Sequence, residues 1–355
     1  MTNREDFQNQ LISWYVREGR DLPWRRTSNP YHIWICEIIL QQTRVNQGMP
    51  YYSRFIERFP DITSLAQASE DEVLAYWQGL GYYSRARNLL QAARQVMQHF
   101  GGKLPADYQQ LLKIKGIGKY TAGAIASMAF NLPHAAIDGN VYRVLARLFN
   151  DSTPIDRSNA YPYFEKLLMK VFDETRPSLF NQAIIELGAL ICLPRNPSCP
   201  VCPVSKYCLA FKHSSQHLLP VKKHSLPIKK RYFYYFILHD NDQIVLRKRT
   251  GNDIWQMLYD FPLCEFPQKL ENPLEQLKES NWPGPLLLGI PAEISPPVRH
   301  MLTHQELNIW FVRLKIKKLP EPLPANHVKV QIKNIGNWPI PKVIANYVKK
   351  EFDLS

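Results

Sequence analysis

Residues 111–130 read LLKIKGIGKYTAGAIASMAF. Apolar residues recur at helical spacing on both sides of a short core, Lys115-Gly116-Ile117-Gly118. Two glycines permit a tight hairpin where a Cβ would block close approach. The second helix starts near Lys119, and the free backbone N–H groups of a helix start can hold a phosphate. A hairpin of this kind grips a nucleic-acid backbone and carries little sequence information. An ordinary glycine turn between helices gives the same pattern. The spacing therefore predicts two helices joined by a tight glycine turn over 107–130 and leaves its ligand open.

Working outward, the same periodicity predicts helices in 62–78, 86–100, 141–149 and 160–172. Ser28-Asn29-Pro30 sets a cap before a proline at a first turn, and Asp138 precedes NVYRVLARLF at an N-cap position. Residues 1–211 thus read as one helical domain. Residues 212–231, KHSSQHLLPVKKHSLPIKKR, are basic, lack an apolar period and read as a linker. Beyond it, 232–239, 243–249 and 307–316 are rich in β-branched and aromatic residues, so 232–355 reads as a smaller α/β domain. Two domains suit a chain of 355 residues with 45% hydrophobic content.

The start, MTNREDFQNQ, is polar, and no apolar run approaches bilayer length, so the expectation is an intracellular protein without a membrane. The formal charge is +13, with 18 Tyr and 8 Trp. Such a chain attracts polyanions and offers faces on which bases stack, although a basic soluble surface reads the same way.

Four of the six cysteines lie in CLPRNPSCPVCPVSKYC, as Cys192-x6-Cys199-x2-Cys202-x5-Cys208. In a reducing compartment clustered thiols serve as metal ligands more often than as disulfides. The interleaved prolines lower the entropy cost of holding the loop. Four thiolates suit structural zinc or an iron–sulfur cluster, and spacing alone does not separate them.

Two carboxylates stand out. Glu37 sits in YHIWICEIILQQTRV, read as a helix over 31–45, among apolar residues, where burial would raise its pKa as a general acid requires. A surface glutamate on an amphipathic helix is the competing reading. Asp138, in AAIDGNVYRVLAR, is a natural helix N-cap, and an ionised, partly buried cap is also a fixed anion.

The cysteine spacing at the end of a helical domain is similar to the [4Fe–4S] loop of endonuclease III-type DNA glycosylases. Residues 111–130 resemble the helix–hairpin–helix of that superfamily, with Ile-Lys-Gly-Ile-Gly where Leu-Pro-Gly-Val-Gly is usual. Where endonuclease III-like members carry an attacking lysine, this chain has Tyr120, and a phenol cannot form an imine. Lys119 is adjacent but on another helix face. The helix around Glu37 and the loop around Asp138 resemble those of the MutY-type adenine glycosylases.

That resemblance implies a helical glycosylase domain with a cluster loop, then a Nudix-like α/β domain. It implies a monomeric, monofunctional enzyme of base excision repair, acting on double-stranded DNA with adenine opposite 8-oxoguanine or guanine. Its compartment would be cytoplasmic and nucleoid-associated in a bacterium, nuclear or mitochondrial in a eukaryote. Glu37 would protonate adenine, Asp138 would stabilise the cationic sugar, and Tyr120 and Asn140 would support them. Arg20, Trp24, Arg25 and Gln182 would line the adenine pocket. Gln42, Thr43, Tyr82, Gly116, Gly118 and Lys119 would contact DNA. Cys192, Cys199, Cys202 and Cys208 would hold a [4Fe–4S] cluster. VRHMLTHQELNIW (298–310) resembles the lesion-reading loop of the C-terminal domain, giving His300, Thr303 and His304 that role, with Leu302 where the family has phenylalanine. No Nudix hydrolase box is present. An endonuclease III-like enzyme for oxidised pyrimidines, a non-catalytic iron–sulfur DNA-binding protein and a zinc-ribbon adaptor are the alternatives. Tyr120 and the C-terminal domain oppose the first, and the Glu37/Asp138 pair opposes the second.

Overall fold

The computed structural model describes residues 4–223 and 228–352. The chain forms two compact units, one of Met1–Gln67 with Asn88–His224, the other of Ala68–Arg87 with Ser225–Ser355.

The first unit is helical. Its helices are α1 (Arg4–Glu18), α2 (Pro30–Leu40), α3 (Val45–Arg58) and α4 (Ile62–Gln67). A short α5 (Glu70–Tyr76) belongs to the second unit, and α6 spans Ser84–Phe100. The remainder are α7 (Tyr108–Leu111), α8 (Lys119–Phe130), α9 (Gly139–Leu148), α10 (Ala160–Met169), α11 (Pro177–Leu190) and α12 (Leu209–Lys212). The starts follow the expected chemistry. Asn29 Oδ1 accepts the N–H of Tyr31 at 2.9 Å, with Pro30 in the first turn of α2. The expected helix from 31 to 45 stops at Leu40, because Gln42 turns the chain with φ of 55°.

At the centre, α11 packs against α1, α8 and α9, and α2 packs against α3 and α8. Phe180, Ile184 and Leu187 recur at helical spacing on α11 and are buried. Each contributes about 1.5–3 kcal/mol through burial. Glu186, on another side of the same helix, is also buried.

In the second unit the strands are β1 (Lys229–His239), β2 (Gln243–Lys248), β3 (Tyr259–Asp260), β4 (Leu263–Phe266), β5 (Glu293–Ile294), β6 (Val298–Met301), β7 (Gln305–Lys315) and β8 (His327–Gln331). They form one mixed sheet of order β3-β2-β1-β7-β5, with β4 on β1, β6 on β7 and β8 on β2. β1 and β7 run parallel from Lys229↔Gln305 to His239↔Lys315. Alternation sends Phe233, Tyr235 and Ile237 to one face and Tyr234, Phe236 and Leu238 to the other. Helix α14 (Lys342–Glu351) covers the first face through Val343, Ile344 and Val348, and α13 (Pro273–Lys278) covers the second through Leu277. Both faces are covered, which explains why β1 is buried and apolar from Phe233 to Leu238 instead of alternating.

The units differ from the expected boundaries in two places. Residues 212–223 are fastened to the helical unit: Arg147 Nε donates to the carbonyls of Gln216 (2.9 Å) and Leu219 (3.1 Å), and Ile155 N donates to Val221 O (3.1 Å). The rest of the expected linker is shorter, because β1 begins at Lys229, whose backbone pairs although its side chain is exposed. Positions 224–227 lie outside the described residues. Residues 68–87 join the second unit, where Asp71 pairs with Lys248 at 2.9 Å. Among the described residues no helix is long and apolar enough to cross a membrane.

Candidate active site

A cleft of about 780 Å3 opens in the helical unit. It is lined by Arg20, Trp24, Arg25, Glu37, Tyr120, Asp138, Asn140 and Gln182, with Gln42 and Thr43 at the turn after α2. Residues spread over 160 positions of sequence thus meet in one cavity, on α2, α8, α9, α11 and the loops that start them.

Glu37 lies on α2 and is buried, 9% exposed. The helix that carries it is apolar on nearly every side, so the carboxyl has few polar neighbours. Burial pushes its pKa up to about 7, and the charge of Asp138 pushes the same way; the Tyr120 hydroxyl, donating to it, and Arg25 pull it down. Burial and the two carboxylates in turn push the Tyr120 hydroxyl well up, which keeps it a donor. A carboxyl balanced near neutral pH inside a cleft can deliver a proton and recover it.

Asp138 caps α9. Its Oδ1 accepts the N–H of Asn140 (2.9 Å) and Val141 (2.8 Å), and its Oδ2 accepts Asn140 Nδ2 (2.7 Å). Burial pushes its pKa up, while these contacts and the nearby Arg143 oppose the shift by favouring the anion. Asn140 is fixed from behind: Arg143 Nη2 donates to its Oδ1 at 2.8 Å and to Gly188 O at 2.7 Å. A Cβ at Gly188 would stand 2.6 Å from Asn140 Cβ, so only glycine lets α11 approach α9 this closely.

Around the cleft, Trp24 is buried and meets Tyr52 edge-on, 5.1 Å between ring centres. Gln182 accepts from the Tyr15 hydroxyl at 2.9 Å and donates to Ser178 Oγ at 3.1 Å, which fixes which way its amide faces. Glu186 was not singled out in sequence, and neither were Arg143 and Tyr15. Glu186 accepts Arg20 N (2.9 Å), Nε (2.8 Å) and Nη2 (2.6 Å) and Arg25 Nη2 (2.7 Å). Burial opposes its ionisation, but these donors win and hold its pKa at about 2. The signal that marked Glu37, an acid within an apolar helix, is equally present in NQAIIELGAL. Two guanidiniums on one carboxylate leave a net positive charge beside the cleft.

The cysteine loop follows α11. Arg147 on α9, itself buried, donates to Cys192 Sγ (3.2 Å) and Leu193 O (2.7 Å), and Arg143 Nε donates to Cys192 O (2.7 Å). The four thiols lie near enough to disturb one another: burial first, then neighbouring thiolates, push Cys199 and Cys208 up and Cys202 up to about 12. Four thiolates so placed need a cationic group between them to ionise together, so the donor set fits a thiolate-bound metal group. As the side chains stand, no three His, Cys, Asp or Glu among the described residues form a group that could hold a metal ion.

The hairpin residues do not line the cleft. Gly116 has φ of +77°, and a Cβ there would meet Asn88 at 3.1 Å. Gln95 clips the turn by accepting Lys115 N (2.9 Å) and donating to Lys113 O (2.9 Å). Gly118 precedes α8, whose start lacks a side-chain cap, and Lys119 Nζ lies over the Tyr161 ring at 4.8 Å, away from Tyr120.

In the second unit, Thr303 and His304 sit in the tight turn between β6 and β7 and line a cavity of about 400 Å3 with Leu302 and Tyr82. The Tyr82 and Thr303 hydroxyls are hydrogen-bonded. His300 lies outside that lining, its ring 5.9 Å from Trp255.

Comparison with known proteins agrees with this geometry. Residues 35–173 match the HhH-GPD superfamily base excision DNA repair proteins, and residues 233–350 match the NUDIX domain. An adenine DNA glycosylase of Buchnera aphidicola subsp. Acyrthosiphon pisum is 32% identical over 98% of this chain and 99% of its own length. One from Buchnera aphidicola subsp. Baizongia pistaciae is 42% identical over 72% and 73%. Among solved structures, a thermostable thymine-DNA glycosylase aligns with a TM-score of 0.55 and 28% identity, over 60% of this chain and 98% of that one. The chain belongs to the HhH-GPD superfamily of base excision DNA repair proteins, in the group of its adenine DNA glycosylases.

Proposed function

We propose that this protein removes adenine paired with 8-oxoguanine or guanine in double-stranded DNA by hydrolysing the N-glycosidic bond. The observation that carries the reading is Glu37, with a pKa near 7, facing Asp138 across one cleft. The adenine leaves the base stack and enters the cleft between Trp24, Arg25 and Gln182. Glu37 gives its proton to N7 of the base. The C–N bond breaks with its electron pair going to adenine, and positive charge grows on the sugar. Asp138, fixed by its backbone donors and Asn140, faces that charge. Water then adds to the sugar carbon, its proton returns to Glu37, and an abasic site remains. Tyr120 stands where a lysine would make a lyase, so the strand stays intact.

The hairpin at Gly116 and Gly118 and the turn at Gln42 and Thr43 hold the duplex, and Tyr82, Thr303 and His304 read the base opposite adenine. Cys192, Cys199, Cys202 and Cys208 hold a [4Fe–4S] cluster that fastens the loop against α9. Its support is the mutual proximity of the thiols and the anchorage of Cys192 by Arg143 and Arg147. Iron and acid-labile sulfide in a ratio near one, with no zinc, are expected of the purified protein.

Single-turnover release of adenine from duplexes with 8-oxoguanine, guanine, cytosine or thymine opposite tests the main reading. Release is expected fastest with 8-oxoguanine, then guanine. Release of oxidised pyrimidines instead, or efficient borohydride trapping of the wild-type protein, would sink it.

A further inference from the structure

Leu302 supplies no aromatic ring where one is expected beside the base opposite adenine. We propose that Trp255 supplies it: its ring is the stacking wall for that purine. The assignment rests on the lesion reading given above and names a residue that carries it.

Trp255 lines the same cavity as Leu302, Thr303 and Tyr82. It sits on the loop between β2 and β3, and its backbone is left-handed, with φ of 58°. Two residues later Met257 has φ of 68°. Such angles are uncommon for side-chain-bearing residues, are outliers for bulky ones, and persist only where the surroundings force them.

The surroundings do force them. Arg249 is 8% exposed and donates through Nε to Ile254 O at 2.9 Å, while its guanidinium lies 6.0 Å from the centre of the Trp255 ring. Its other nitrogens hold Asp253 (2.7 Å) and Asp260 (2.8 Å). Asp253 is clamped again by Arg231, through two bonds of 2.7 Å. One residue after Trp255, Arg87 donates to Gln256 Oε1 at 2.8 Å and to the Gln256 carbonyl. Arg87 lies five residues after Tyr82 in sequence. The loop carrying Trp255 and the segment carrying Tyr82 are therefore fixed in one frame.

A core-packing tryptophan needs no such clamp. The ring meets Phe233 nearly at right angles, 6.5 Å between centres, with His300 at 5.9 Å and Arg249 over it, yet the residue is only half-buried, and its loop is held at both ends in a strained backbone. A flat, preorganised ring beside hydroxyl donors is what a purine requires: the ring takes the π-face, and Thr303 can hydrogen-bond an edge.

The test compares adenine release at sub-saturating protein from duplexes with 8-oxoguanine or guanine opposite adenine. Trp255→Leu and Trp255→Ala are expected to lower release from both duplexes by about tenfold, the scale of one lost base–aromatic stack. Trp255→Phe, which keeps a ring, is expected to stay within about threefold of wild type on the same scale. Thermal unfolding of each variant checks folding; if the alanine variant unfolds, the leucine variant decides. A folded leucine variant that releases adenine from both duplexes at the wild-type rate overturns the assignment of Trp255 alone. Wild-type protein that shows no preference removes the lesion reading itself, and the role of Trp255 with it.

Discussion

Glu37 and Glu186 are buried glutamates of the same helical unit, each on an apolar helix and each beside Arg25. Their pKa values stand near 7 and near 2. Burial pushes both upward. What separates them is the donor set: Glu186 collects four N–H donors from Arg20 and Arg25, whereas Glu37 has the Tyr120 hydroxyl and a neighbouring carboxylate. Burial therefore makes a carboxyl either a brace or an acid, and its partners choose which. Arg25 serves both, as hydrogen-bond partner of one and distant positive charge for the other.

The largest effect expected on this contrast is at the acid. Glu37→Gln should lower single-turnover adenine release about a thousandfold, within the span of general acid catalysis, with duplex affinity and melting temperature kept. A variant that keeps its rate would make Glu37 a second structural carboxylate. Next comes the brace. Glu186→Ala leaves two partly buried guanidiniums without their counter-charge and should cost about 3 kcal/mol or more in denaturant unfolding. Unchanged stability would show that solvent replaces the carboxylate and that the two sites differ less than their donors suggest.

The pH responses should run in opposite directions. Glu37 is raised above its ordinary 4.5, so its contribution to stability is present below that value and is lost as pH rises through about 7. Adenine release should decline over the same upper limb. Glu186 is depressed from 4.5, so its contribution is present above that value and is lost as pH falls towards about 2. The smallest effect belongs to Tyr120→Phe. Removing the donor that favours the ionised acid should raise the pKa of Glu37 and move the alkaline limb of the rate profile to higher pH. A limb that stays in place would uncouple Tyr120 from Glu37.

The contrast also shows what can be read from residues alone. Glu37 and Glu186 share one local signature, an acid in an apolar helix, and nothing local reveals whether arginines arrive from elsewhere. Arg20 and Arg25 reach Glu186 across more than 160 residues of sequence. Asp138 was legible because a cap is a local event, fixed by Asn140 and Val141, two and three residues further on. Most of the helices named were legible from their period, but not at Leu40, where a positive φ at Gln42 ends a pattern that the side chains would have continued, nor in 62–78, which splits into α4 and α5 where Ser69 caps a new start. The membership of residues 68–87 was hidden for the same reason as Glu186: Asp71, Tyr82 and Arg87 find partners beyond residue 240, and periodicity carries no trace of partners.

Gly188 carries a consequence for how this chain can change over time. Every other amino acid adds a carbon at a place already 2.6 Å from Asn140 Cβ. The displaced partner would be the residue that holds Asp138, so no substitution there is graded by size or polarity. Elsewhere in the core a lineage can drift through isoleucine, valine and leucine while stability absorbs the difference. At 188 drift has no intermediate steps, and the spacing of two helices is recorded in one residue that carries no side chain.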